Sequence, residues 1–130
     1  MENSESLIEF YNQTTGTDNG RVVMDFFINH GILGDEMEWG MKIVANDHIS
    51  PYSIRWKHKT WNKYVIPYYK AIGKEPQLIT SFKTYKEVDY FIWEAIGYLE
   101  SHGIMKYKEE IYVPTISEAD TIGTIYPDSL

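Results

Sequence analysis

The chain has 130 residues, is 43% hydrophobic and carries a formal charge of −7, values that suit one folded domain and argue against disorder. It has no cysteine, which excludes a disulfide scaffold, a thiolate nucleophile and cysteine-based metal centres. Its four Trp, eleven Tyr and five Phe are more rings than a domain of this size is expected to hide, so some should stand outside as binding anchors.

Ser4 and Ser6 ahead of Leu7, Ile8, Phe10 and Tyr11 predict a short capped helix over 5–13. A polar loop, Thr14 to Gly20, leads to a second helix over 20–30, with Asp18 or Asn19 as its cap. Val22, Val23, Met24, Phe26, Phe27 and Ile28 cover most of its circumference, the mark of a buried helix. His30-Gly31-Ile32 ends it, with glycine in the left-handed position and the next isoleucine as the closing apolar contact.

Met37, Trp39, Met41 and Ile43 alternate with Glu38, Gly40, Lys42 and Val44, the period of a half-buried strand. After a turn at Asn46-Asp47, Tyr52, Ile54 and Trp56 alternate with Ser53, Arg55 and Lys57, an antiparallel return strand. That register puts Arg55, Lys57 and Lys59 on one face and the aromatics on the other. Trp61, Val65, Tyr68, Tyr69 and Ile72 keep helical spacing, but Pro67 is expected to kink or end that helix near Ile66. Leu78, Ile79 and Phe82 suggest a short strand.

Residues 85–101 predict the strongest helix. Thr84 and Glu87 form a capping box, and Val88, Ile92, Ala95 and Leu99 make the apolar stripe. It ends in His102-Gly103-Ile104, as the second helix does. This echo reads as a common helix ending and not a duplication, since it does not extend upstream. Met105 to Val113 alternate as a last strand. The mixed order predicts an α+β fold: a single domain over 1–113 with an antiparallel or mixed sheet of about four strands and helices mainly on one face. Residues 114–130 are expected to be a C-terminal tail on the surface or mobile.

Common catalytic and metal motifs are absent. His30, His48, His58 and His102 have no metal-ligand spacing, and no G-x-S-x-G, P-loop or G-x-G-x-x-G is present. No cofactor or metal is expected, and an enzyme is disfavoured. The acidic N-terminus is unlike a secretory signal and no apolar run is long enough for a membrane helix, so the expected place is cytoplasmic.

Charge is segregated. Residues 48–74 hold Arg55, Lys57, Lys59, Lys63, Lys70 and Lys74 and no carboxylate, while residues 1–47 carry nine acids against two bases. Residues 75–130 carry ten acids against four bases. Two surfaces compete. Asp35, Glu36 and Glu38, with Asp89, Trp93 and Glu100 around a Trp that points off the apolar stripe, suit a basic protein partner through charge steering and an aromatic anchor. Gly97 beside Trp93 hints that something packs closely there. Arg55, Trp56, Lys57, Lys59, Trp61 and Lys63 suit phosphates and stacked bases.

The expectation that follows is a small acidic macromolecule-binding protein, an inhibitor or immunity-type protein of bacterial or phage kind that docks on a toxin or a nucleic-acid-handling enzyme. The alternative is a nucleic-acid or phosphate-ligand module using 54–63. The second alternative is a small enzyme with an assembled Asp, Glu, His and Tyr site.

Overall fold

The computed structural model describes residues 4–108, and every regular element in them is helical. In order these are α1 (Ser4–Thr15), α2 (Gly20–Asn29), α3 (Gly34–Asp47) and α4 (Pro51–Thr60). A π-helical segment (Trp61–Val65), α5 (Ile66–Ala71), a 3-10 turn (Ile79–Ser81) and α6 (Tyr85–Ser101) follow. The expected sheet is therefore corrected: no strand occurs among the described residues. The strand placed over Met105–Val113 and the tail 114–130 lie partly or wholly outside them; Met105 to Lys108 are not strand.

The alternation over 37–44 misled because that stretch is apolar on most sides of a helix. Met37, Trp39, Met41, Ile43, Val44 and Ala45 are all buried in α3. Its polar positions tell the period: Asp35, Glu38, Lys42 and Asn46 recur every three or four residues along the less buried edge. The stretch at 52–57 is the start of α4, buried at Tyr52, Ser53, Ile54 and Lys57. That pattern has no period of two.

The chain groups into two compact units, divided within α4 between Arg55 and Trp56. In the first, α1, α2 and α3 pack on one another. Gly20 opens α2 against α1: a Cβ there would stand 2.8 Å from the Ile8 carbonyl, and the Gly20 N–H donates to Asn12 Oδ1 at 2.8 Å. Asn19 makes no side-chain cap, so Asn12 does that work from the neighbouring helix. Gly40 lets α3 approach Phe27 and Ile54. The α2 ending is as expected: Ile32 N–H reaches the Phe27 carbonyl at 2.9 Å, with Gly31 at φ 74°.

In the second unit α6 packs on the π-helical segment and on α5. Near Pro67 the helical type changes as the expected break suggests: the π-helical segment ends at Val65 and α5 begins at Ile66. In a continuous α-helix its ring would strike the carbonyl one turn back, and the segment just before it is π-helical instead. Pro67 then occupies the first turn of α5, where a missing N–H is tolerated. α6 spans the expected residues. Glu87 N–H donates to Thr84 Oγ1 at 3.2 Å, and Thr84 Oγ1–H returns a bond to the Glu87 carboxylate at 2.9 Å. Ile104 N–H to the Leu99 carbonyl, 2.9 Å, closes its far end. No helix among the described residues is long and apolar enough to cross a membrane.

Candidate functional site

The structure merges the two competing surfaces at one place in the second unit. Lys57 leaves the expected basic face because α4 is a helix: two residues on from Arg55 is about 200° round the axis. That turn carries Lys57 inward until only 1% of it is exposed. Its Nζ lies 3.4 Å from Asp89 Oδ1 on α6, 3.9 Å above the centre of the Tyr85 ring and 5.1 Å from that of Trp56. A buried ammonium needs such company: a carboxylate offsets its lost hydration, and ring faces add an attractive quadrupole.

Trp56 and Trp93 lie beside this pair, their ring centres 6.1 Å apart. Trp93 meets Tyr107 edge to face at 5.1 Å, and Tyr107 continues to Tyr64 at 5.5 Å. Tyr64 is fixed in turn, its hydroxyl accepting the Lys108 N–H at 2.9 Å. Trp93 is thus held on two sides yet remains 44% exposed. Four of the twelve predicted site residues, Trp56, Lys57, Asp89 and Trp93, converge here. Because Asp89 faces Lys57, the pair is internally neutralised and neither charge is offered as expected.

The outer face of α6 completes the surface with residues that the sequence reading passed over. Tyr90 is 67% exposed and stands one turn before Trp93. The Glu94 carboxylate one turn on, through hydrogen bonding first and then its charge, with desolvation last, raises the Tyr90 phenol above its ordinary value. The signal for Tyr90 was present, since residues three apart on a helix are neighbours. Glu100 accepts the Tyr107 N–H at 3.0 Å, tying the chain after α6 back to the helix. Gly97 is corrected: a Cβ there would meet no described atom within 4 Å, so nothing in the described chain packs closely on it.

The remaining predicted residues do not join this place. Asp35 and Glu36 occupy the first turn of α3, where carboxylates favour the positive end of the helix, and Glu38 bridges Lys42 at 2.9 Å. All three belong to the first unit, as does Arg55, whose Nε donates to His30 Nδ1 at 3.2 Å. Trp61 is buried against Phe82 and Phe91 and offers no face to a base. Lys59 is exposed, and Lys63 lies 5.4 Å from the Tyr64 ring centre. The strand face expected to align Arg55, Lys57 and Lys59 does not exist. The chain matches no protein-family model, no curated protein and no solved structure.

Proposed function

We propose that this protein works by binding another protein, and that the aromatic surface of α6 is where it does so. The observation that carries the reading is Trp93: a large indole, braced by Trp56 and Tyr107 and left 44% exposed. A braced aromatic loses little freedom on binding, which is why Trp and Tyr dominate the energy of protein interfaces. The formal charge of −7 favours a basic partner by steering its approach. Inhibition of such a partner, in the manner of an immunity protein, is the activity this mode of binding would deliver.

The nucleic-acid alternative is less favoured, since two of its six residues, Lys57 and Trp61, are buried. The test is a photo-crosslinking amino acid at Tyr90, compared with one at Asp18 in the first unit, in the producing cell. The reading expects a discrete adduct with a basic protein at 90 alone, lost in Trp93→Ala. Identical products from both positions, or none from 90, would contradict it.

A further inference from the structure

The face of α6 is a lattice in which each position is surrounded by those three and four residues away. Around Gly97 these neighbours are Trp93, Glu94, Glu100 and Ser101: one indole, two carboxylates and one hydroxyl. Glu94, Gly97, Glu100 and Ser101 are all exposed, and Trp93 is the half-open indole described above. Helical side chains lean toward the N-terminus, so a side chain at 97 would lie across 93 and 94. Glycine leaves that spot bare, and no described atom fills it. Residues 87–105 include no Lys or Arg, and with Asp89 paired to Lys57 the carboxylates left on this stretch are Glu87, Glu94 and Glu100.

We propose that the uncovered helix surface at Gly97 seats a cationic side chain, arginine or lysine, of the partner protein. Its stem lies on the glycine, its charge sits between the Glu94 and Glu100 carboxylates, and its flat side or methylenes lie against Trp93. The fit is one of charge and exposure together: a glycine with no described atom above it, a half-open indole whose face attracts cations, and two exposed carboxylates on the same face of α6. The second unit already contains the same chemistry in Lys57, packed on Tyr85 and Trp56 beside Asp89. This proposal rests on the protein-binding reading and adds the chemistry of what is bound.

The test uses the full chain with acetylated tetra-arginine amide and its tetra-citrulline counterpart, which keeps the shape and loses the charge, titrated by calorimetry at two salt concentrations. Arginine should bind at least about tenfold more tightly than citrulline. Glu94→Gln with Glu100→Gln should weaken it about tenfold, whereas Asp35→Asn with Glu36→Gln, which remove equal charge elsewhere, should change it by about twofold or less. Gly97→Gln should raise the unfolding midpoint yet weaken binding at least about fivefold, a combination that a merely structural glycine cannot give.

Equal losses from the two double neutralisations would overturn the seat in favour of diffuse attraction. So would citrulline binding as well as arginine, shielding of Trp93 from acrylamide in the isolated chain, or a dimer that buries Trp93. If any of these is found while the Tyr90 crosslink stays specific, the seat alone fails. If the crosslink fails while the peptide data hold, the seat stands and the protein-binding reading falls.

Discussion

Removing the Asp89 carboxylate should cost more than removing the Lys57 ammonium it faces. An exposed ion pair contributes roughly 0.2–1 kcal/mol, and stripping one member from a fully buried pair costs about 3–5 kcal/mol. This pair lies between those limits: the lysine side chain is 1% exposed, the aspartate 36%, and they meet at 3.4 Å. Asp89→Asn keeps the volume but leaves a sealed ammonium without this carboxylate, so we expect a loss of about 2 kcal/mol. Lys57→Met removes the charge, keeps an unbranched stem against Tyr85 and Trp56, and lets Asp89 turn to water. Its cost should stay under about 1 kcal/mol. In the Lys57→Met background Asp89→Asn should then cost next to nothing, the signature of a coupled pair. Urea unfolding followed by tryptophan emission reads this unit well, since Trp56, Trp61 and Trp93 are three of the four tryptophans. Equal costs for the two single changes, or a double change that costs their sum, would refute the reasoning.

Gly20→Ala should destabilise by roughly 1–3 kcal/mol, because its methyl would stand 2.8 Å from a backbone oxygen of α1. A denaturation curve unchanged from that of the parent would contradict the close approach of α1 and α2. Thr84→Ala should cost about 1 kcal/mol through the lost cap of α6, with partial rescue by Thr84→Ser. Tyr90 should deprotonate late in a carbon NMR titration, and earlier in Glu94→Gln, since that carboxylate is the main cause of its raised value. The sign follows: the Tyr90–Glu94 contact contributes in full below the ordinary phenol range and is lost as the pH climbs through the raised value. A Tyr90 midpoint indifferent to Glu94 would remove this link from the surface.

Helix ends were more legible in the sequence than the segments between them. The Thr84–Glu87 box and the two His-Gly-Ile endings rest on local backbone chemistry, and the structure forms all three with short bonds. What local pattern cannot convey is how many sides of a segment are buried. α3 is covered on most of its circumference, so alternate residues looked apolar for a reason unrelated to pleating. Its edge of Asp35, Glu38, Lys42 and Asn46 held the helical period and was outweighed by the larger apolar count.

The same limit explains the site. The helical period of α6 suffices to place Trp93 off the core stripe, whereas a strand period at 52–57 turns Lys57 toward solvent and the helix that forms there turns it inward. Its burial against Asp89, some thirty residues on, is a tertiary fact that no window of sequence contains. Nor does sequence separate glycines: Gly20 and Gly97 both lie in helices, one beneath a neighbouring backbone and the other with no described atom within 4 Å of where a Cβ would stand.

Amide and indole shift mapping of the full chain with tetra-arginine addresses the central claim most directly. The account predicts the largest changes at the Trp93 indole, Tyr90, Glu94 and Gly97, saturating together with one affinity. Changes centred on Asp35 to Glu38, or spread evenly over the acidic residues without saturation, would contradict it.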